Sequence, residues 1–465
     1  SAAAVAHGDG AFTVGARFRD RGFRDGAVDE LRVYGRTLAP LEIHWLHETA
    51  SGDASVELRI DDSDEPVLRD FYFTAIDGEV RAHRLRLAKA WRRLVQAEEP
   101  IQEIPVMREL PVARPAYLLS RGAYDAPKSD ENRVYRDTFA EMLPPFPSDA
   151  PRDRLGLAKW LTAPQHPLTA RVLVNRVWAN FFGRPLVATP ENFGRQGETP
   201  SHPELLDWLA RDFVDHGWDL KRLCRNIALS ATYRQDSRLR PELREDDPEN
   251  VWLARGPSRR LTAEQVRDTA LVASGLLDRA MGGPPVSPYQ PGEDLWREAN
   301  AMSPPYRQAT GQALHRRSLY SVWKRTAPLP NMLAFDAVTR ETCVVSRSRT
   351  NTPLQALVLL NDVQFVEAAR ALAAAAGTLH ATTTERIDEA FWRLTGRGPA
   401  DDELVDLLSA YDEQLALFAA GAQQADLLLA MGEFRAELSL PRDELAAFTV
   451  VCQIIMNLDA TITVR

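Results

Sequence analysis

Apolar residues recur at helical spacing through most of the chain after residue 153, and this periodicity restricts the fold more than any other feature. The clearest segments are RLGLAKWLTA, ARVLVNRVWANFF, SHPELLDWLARDFVDHG, DDELVDLLSAYDEQLALFAA and LPRDELAAFTVVCQIIMNL. Most of them carry apolar side chains on one helix face and charges on the others. The sequence therefore predicts a mainly α, multi-helix globular domain, and its 465 residues are enough for two or more structural units.

Several helix ends are also marked in the sequence. Gly183 follows an apolar helical run at the position where a glycine C-cap is expected. Ser201 and Glu204 have the spacing of a capping box, which predicts Ser201 as the N-cap of the following helix. Further upstream, the run from Leu68 to Ala97 is predicted as an amphipathic, helical connector, and its arginines are interpreted as a solvated helix face in preference to an anion site.

Strand signals are short and lie before the helical region. AFTVGARF and AVDELRVY alternate apolar and polar residues on either side of the glycine-containing RDRGFRDG, which predicts two strands and a turn. Two strands cannot bury a stable core by themselves. AYLLSRGAY predicts a further, loop-associated strand, whereas the prolines that follow favour extended backbone without ladder hydrogen bonds.

The charge balance restricts the partners of the chain. Fifty-six basic and 65 acidic residues give a net charge of -9, which argues against a general nucleic-acid binder, because such proteins need a basic face. No apolar run approaches the roughly 20 residues of a membrane span, so no span is predicted. Because the chain begins with Ser and not Met, we expect a fragment or a processed product with missing upstream modules.

The cysteines and histidines predict neither a cofactor nor a metal site in this chain. Cys224, Cys343 and Cys452 are too far apart for a CxxC metal knuckle or a CxxCH haem attachment site. His44 and His47 lie at helical spacing, but no nearby acidic or cysteine residue completes a zinc set. Walker, Rossmann and nucleophile-elbow motifs are missing from the sequence.

Ionisable residues are concentrated in FDAVTRETCVVSRSRTNTPLQ, a short stretch without helical periodicity. Its candidate site residues are Asp336, Arg340, Glu341, Cys343, Arg347, Arg349, Asn351 and Thr352. Asn351 or Thr352 is predicted to cap a helix that begins near Pro353. Such a helix start attracts anions, and Arg347 and Arg349 strengthen the attraction. The tract is predicted to be a ligand or partner site, or else a buried ion-pair network.

A second polar tract, NRVWANFFGRPLVATPENFGRQGETPSHPE, connects two predicted helices. Its candidate residues are Asn175, Arg176, Arg195, Gln196, Glu198 and His202. Glu198 and His202 could act together in general acid-base catalysis, because a carboxylate can hold an imidazole in its useful range. The alternative is a constrained loop in which residues 201–204 simply initiate a helix.

Two stretches resemble known families. FRDGAVDELRVYGRTLAPLEI resembles the closing strands of a laminin-G or concanavalin-like jelly roll. The run RLGLAKWLTAPQHPLTARVLVNRVWANFFGRPLVATPENFGRQGETPSHPELLDWLARDFVDHGWDLKRLCRNIALSATYRQ resembles the planctomycete-specific domain of unknown function found at the C-terminus of planctomycete cytochrome c-type proteins. The second resemblance continues at RRLTAEQVRDTALVASGLLD, at RRSLYSVWKRTAPLPNMLAFDAVTRETCVVSRSRTNTPLQALVLLNDVQFVEAARALA and at VCQIIMNLD.

These resemblances imply three regions: a jelly-roll remnant over 1–50, a helical connector over 51–104 and the helical domain of unknown function over 105–465. They imply an exported protein of the periplasm or cell surface, with haem in a missing upstream module and a possible link to glycans. They carry over no catalytic residue and no reaction.

Two functions remain open from the sequence. The first is an accessory or scaffold module that docks an unknown protein partner or the upstream domains of its own polypeptide. The second is a secreted enzyme acting on a polysaccharide or another anionic extracellular substrate, using Arg340, Glu341, Arg347 and Arg349 with Asp336. Electron transfer by the chain itself would need a cofactor that the sequence has no means of attaching.

Overall fold

The computed structural model describes residues 31–34, 37–50, 65–101, 104–139, 141–292, 306–435 and 440–464. The chain divides into two compact units, Ser1–Pro115 and Ala116–Arg465. Most of the predicted jelly-roll remnant lies outside the described residues, and residues 31–34 belong to no strand. The predicted region boundaries at residues 50 and 104 stay predictions.

The described residues of the first unit include three helices. They are α1 (Pro40–Ala50), α2 (Glu65–Phe71) and α3 (Gly78–Glu98), and a π-helical turn, Tyr72–Ile76, extends α2. The helical segment predicted as a connector is interrupted at Asp77, which has extended backbone angles. Its side chain accepts a hydrogen bond from the Val80 N–H at 2.8 Å and so starts a new helix. The side chains of α3 are largely exposed.

The described residues of the second unit up to residue 246 include an antiparallel pair of short strands and five helices. These are β1 (Ala116–Tyr117), β2 (Arg133–Val134), α4 (Arg154–Leu161), α5 (Thr169–Phe182), α6 (Pro203–Asp215), α7 (Leu220–Leu229) and α8 (Pro241–Asp246). The strand predicted over AYLLSRGAY is thus limited to Ala116–Tyr117, because a 3-10 turn begins at Ser120. Helices α5, α6 and α7 share a hydrophobic core in which the Trp178 and Phe182 rings stack 4.1 Å apart.

The remaining elements surround a second and larger core. They are β3 (Arg259–Arg260), α9 (Ala263–Ala273), α10 (Pro330–Ala334), α11 (Pro353–Asn361), α12 (Val363–Leu379), α13 (Thr383–Thr395), α14 (Asp401–Ala420), α15 (Ala422–Ala430), α16 (Arg442–Asn457), α17 (Asp459–Ile462) and β4 (Thr463–Val464). Helix α12 packs along α16, where the alanines of α12 let the two backbones approach closely. β3 and β4 form an antiparallel pair.

The predicted mainly α fold is confirmed, with strands confined to two short antiparallel pairs in the described part of the chain. Gly183 has the predicted role of C-cap for α5, in a left-handed conformation with φ 80°. Ser201 does not have its predicted role, because α6 begins at Pro203 with His202 at the N-cap position. The Ser201 N–H instead donates to the Leu186 carbonyl at 2.9 Å, which fixes the preceding loop. None of the described helices is long and apolar enough to cross a membrane.

Candidate functional site

The first predicted tract is anchored at Asp336. This residue has a φ of 60°, a left-handed conformation that aspartate tolerates better than most residues. Its carboxylate accepts hydrogen bonds from the Thr350 N–H at 2.7 Å and from the Thr350 hydroxyl at 2.9 and 3.0 Å. Asp336 therefore closes the tract into a loop by holding its two ends together.

Three other charged residues of the tract contact separate neighbours. The Arg340 guanidinium stacks over the Trp323 ring, 4.8 Å from its centroid. Glu341 lies 3.9 Å from Arg325 in an exposed ion pair. Arg347 donates to both carboxylate oxygens of Glu264, at 2.8 and 3.1 Å. Burial raises the pKa of Glu264, but the hydrogen bonds from Arg347 outweigh it and hold that pKa below its ordinary value.

The end of the tract is exposed and leads into α11. Residues 341–352, here called the arginine segment, are exposed throughout, including Cys343 and Asn351. Thr352 occupies the predicted N-cap position before Pro353, but its side chain makes no capping hydrogen bond. Arg349 donates to the Gly183 carbonyl at 3.3 Å, at the C-terminal end of α5. The tract therefore touches the helix that carries part of the second tract.

Asn175 of the second tract has a structural role, because its side chain holds the backbone of a neighbouring loop. It is completely buried in α5. Its side chain accepts from the Val187 N–H at 2.9 Å and donates to the Val187 carbonyl at 3.1 Å. The amide thus replaces a backbone partner for a chain segment that passes through the core without regular structure.

The other candidates of the second tract do not form a cluster. Arg176, Arg195, Gln196 and Glu198 are exposed. The Glu198 N–H donates to the Thr189 hydroxyl at 2.9 Å, which tightens the loop. His202 lies 3.0 Å from the Ser201 hydroxyl through Nδ1. Among the described residues the structure contains no hydrogen bond or ion pair between Glu198 and His202, and their acid-base role stays a prediction.

Two arginines that the sequence analysis did not single out connect the tracts. Arg259 and Arg260 form β3. The Arg260 guanidinium donates to the Gln355 side chain at 2.6 Å, and Gln355 in turn donates to the Thr350 hydroxyl at 3.2 Å. The arginine segment is therefore tied to β3 through α11. The only sequence feature that marks Arg259 and Arg260 is their adjacency in RRLTAEQ, and adjacency alone does not show what their side chains contact.

A buried carboxylate, also missed by the sequence analysis, organises the larger core. Glu367 in α12 is fully buried and accepts hydrogen bonds from Tyr289 and His315, both at 2.9 Å. The backbone N–H groups of Glu433 and Phe434 donate to it at 2.7 Å. Burial raises the pKa of Glu367, but these donors, with His315 first, outweigh it and hold that pKa below its ordinary value.

Two buried arginines extend this framework. Arg267 donates to the carbonyls of Leu314 and Arg316 at 2.7 and 2.8 Å and to the Gln364 side chain at 3.0 Å. Burial lowers the pKa of Arg267 to about 10. Arg370 binds the carbonyls of Leu429 and Phe434. The signal for the framework was the charged pair at positions 367 and 370, within an otherwise apolar and alanine-rich helix.

The cavities near these residues are small. One of about 10 Å³ is lined by apolar residues that include Val266 and Leu359, and another of about 10 Å³ lies beside Trp178 and Arg184. Each has room for about one water molecule. Neither is lined by a candidate residue of either tract. Within the described ranges, no group of three or more His, Cys, Asp or Glu side chains is placed to hold a metal ion.

Fold and site together define a helical module that combines a buried polar framework with an exposed, arginine-bearing loop. The chain belongs to the PSD1 family, described as a protein of unknown function (DUF1553), whose family model matches residues 153–411. The predicted resemblance to a domain of unknown function is thereby confirmed over that range, whereas planctomycete origin and the jelly-roll remnant stay predictions. No curated protein and no solved structure matches the chain significantly.

Proposed function

We propose that this chain is an accessory docking module, in which the arginine segment binds a partner protein or an upstream domain of the same polypeptide. The observation that carries the proposal is that this segment is exposed along its whole length yet is held at two points in its second half. Thr350 is held by Asp336 and Arg347 is held by Glu264. An exposed loop that is already ordered loses little conformational entropy on binding.

The same contacts favour docking over catalysis by the first tract. A catalytic acid or base must be free to exchange a proton with a substrate. Asp336 instead accepts three hydrogen bonds from Thr350, and Glu341 lies beside Arg325. A secreted enzyme that acts on a polysaccharide or another anionic extracellular substrate is therefore the weaker proposal.

The wider context of the module is also a proposal. The resemblance to the C-terminal domain of planctomycete cytochrome c-type proteins supports an exported protein of the periplasm or cell surface, with haem carried by an upstream module. The resemblance of the first 50 residues to a jelly roll supports a link to glycans. In such an arrangement the docking module would join a redox module to a glycan-binding domain.

Photo-crosslinking in the full-length parent protein tests the docking role. A photoreactive residue replaces Val345, which is 41% exposed in the arginine segment, and in a control variant it replaces Leu417, which is 57% exposed on α14. We expect a discrete crosslink, within the polypeptide or to one partner, from position 345 and not from position 417. Mass spectrometry identifies the linked peptide. Equal crosslinking from both positions, or none from position 345, would contradict the proposal.

A further inference from the structure

Two arginines from distant parts of the sequence meet at the end of α5. Gly183 ends that helix, and a Cβ atom at this position would lie 3.1 Å from Arg349 Nη1 and 3.4 Å from Arg259 Cδ. Because both atoms lie so close to one point, the two arginine side chains are neighbours. The position requires glycine for two reasons: its φ of 80°, and the space that the two arginines occupy.

Three neighbouring arginines each have an acidic side chain nearby, whereas none of the described acidic side chains pairs with Arg259 or Arg349. Arg347 is paired with Glu264 at 2.8 Å, and Arg184 is paired with Glu249. Burial lowers the pKa of Arg260, and the negative charge of Asp336 opposes this effect. Within the part of the chain that the structure describes, no carboxylate lies within ion-pair distance of Arg259 or Arg349. Two positive charges thus lie side by side with no counter-charge among the described residues.

The partly buried guanidinium of Arg259 also lacks the hydrogen bonds that would offset its loss of hydration. Its Nε is buried and has no hydrogen-bond partner, and its Nη1 reaches the Gln265 side chain only at 3.4 Å. Burial, and then the charge of Arg349, hold the pKa of Arg259 below its ordinary value. The arrangement therefore costs free energy, which an anion between the two guanidinium groups would recover.

We propose that Arg259 and Arg349 form a binding site for a tetrahedral oxyanion, a phosphate or sulfate group. Each planar guanidinium can donate two parallel hydrogen bonds to such a group. Arg349 uses one nitrogen for the Gly183 carbonyl, so its other nitrogens can serve the anion. Because Arg349 belongs to the exposed arginine segment, the anion has access from solvent.

This inference adds a ligand to the proposed docking role: the oxyanion would be a group that the docking partner carries. The biological role of the site therefore rests on the proposed function. Binding of the inorganic ion needs no partner, so the two proposals can fail separately. A purely structural role for Arg349 is the competing account, because an arginine at a helix C-terminus also complements the helix dipole. That role would respond to ionic strength but would show no saturable binding of one anion.

Calorimetric titration of the purified chain with inorganic phosphate and inorganic sulfate tests the site, with sodium chloride holding the ionic strength constant. We expect saturable binding of at least one of the two ions and a melting temperature that rises with its concentration. Tighter binding of phosphate assigns a phosphate ester as the natural group, and tighter binding of sulfate assigns a sulfate ester. A wild-type chain that responds no more to either ion than to chloride overturns the proposal.

Anion affinity in three variants tests whether Arg259 and Arg349, and not other surface arginines, bind the ion. Arg349→Gln lies in the exposed segment, where folding should survive, and we expect it to weaken binding by about tenfold or more, the loss of one charge-assisted contact. Arg259→Gln should weaken it similarly. The matched control is Arg211→Gln, whose exposed guanidinium is already paired with Asp215 on α6 and whose loss should change affinity by less than about twofold. Equal affinity in Arg349→Gln and wild type would disprove the assignment even if the ion binds.

Discussion

At the scale of single residues, buried polar side chains specify how the apolar helices of this protein fit together. Asn175 and Glu367 are both fully buried, and each joins chain segments that are distant in sequence. A buried polar group is stabilising only while its partners are in place, and removing one member leaves the others without a hydrogen bond. Substitutions at these positions should therefore have larger effects than the loss of a single contact suggests.

Asn175→Ala should lower the free energy of unfolding by about 2–4 kcal/mol, because it leaves the buried N–H and carbonyl of Val187 without partners. The matched control is Asn180→Ala on the exposed face of the same helix, for which we expect a change below about 0.5 kcal/mol. Urea denaturation followed by circular dichroism measures both. Similar losses in the two variants would show that the Val187 contacts are not the cause.

Glu367→Gln should cost about 1–3 kcal/mol at neutral pH, since the amide cannot accept from all the donors that surround the carboxylate. The lowered pKa of Glu367 sets the direction in which this loss of stability changes with pH. The stabilisation by the ionised group is complete above the unfolded-state pKa of about 4.3 and is lost as the pH falls through the lower, folded-state pKa. The difference between variant and wild type should therefore shrink below about pH 4.

Denaturation at a series of pH values measures this difference. Glu389→Gln is the control, because its carboxylate is partly exposed and pairs with Arg393 and His380 at the surface. For that variant we expect a loss below about 1 kcal/mol. A penalty for Glu367→Gln that grows as the pH falls would contradict an ionised Glu367.

At the scale of elements, helix starts combine local capping with contacts from the preceding loop. Glu403 in the first turn of α14 accepts from the Ala400 N–H at 2.8 Å and forms two hydrogen bonds with Arg397 at 2.7 and 2.8 Å. These contacts, with those of Arg397 first, lower the pKa of Glu403 to about 2. Its stabilising contribution is present above the ordinary glutamate pKa and is lost as the pH falls through about 2.

Arg397→Gln should raise the pKa of Glu403 towards, but not fully to, its ordinary value, because the Ala400 N–H still donates to it. An NMR titration of the glutamate side-chain carboxyl signals measures this change. Arg442→Gln removes a surface arginine that pairs with Asp426 and should leave Glu403 unchanged. An unaltered Glu403 titration in Arg397→Gln would show that the backbone cap alone sets its pKa.

Helix boundaries show which structural features can be predicted from the local sequence alone. The C-cap at Gly183 and the helix start at Pro353 were predicted correctly, because both depend on the backbone preferences of single residues. The start of α6 was predicted wrongly, and the break at Asp77 was not predicted. Asp77 could cap a new helix or continue the old one, and Ser201 could cap α6 or bind the Leu186 carbonyl. Tertiary contacts chose between these options.

At the scale of the whole molecule, the two units differ in how much of their chain is buried. Helix α3 of the first unit has no buried side chain, and residues 104–115 are mostly exposed without regular structure. In the second unit, α12 and α16 are buried along most of their length. Because proteases cut backbone that is exposed or opens locally, the first unit should be digested first.

Limited trypsin digestion should therefore cleave early within α3 or after Arg108, well before any cut at Arg267 or Arg370. Mass spectrometry of the first products gives the order of cleavage. Circular dichroism of the large product should retain most of the helical signal. Early cleavage at either buried arginine would contradict the described packing.

The sequence by itself determined the helical class, most helix positions and membership of a family without an assigned activity, because helical periodicity and capping act within about four residues. Only the tertiary structure decided which polar residues meet. Arg349 reaches Gly183 across 166 positions, and Arg260 reaches Gln355 across 95. Such contacts follow from how whole helices pack, and no local pattern encodes them. For the same reason the oxyanion site proposed here combines Arg349, which the sequence analysis singled out, with Arg259, which it did not.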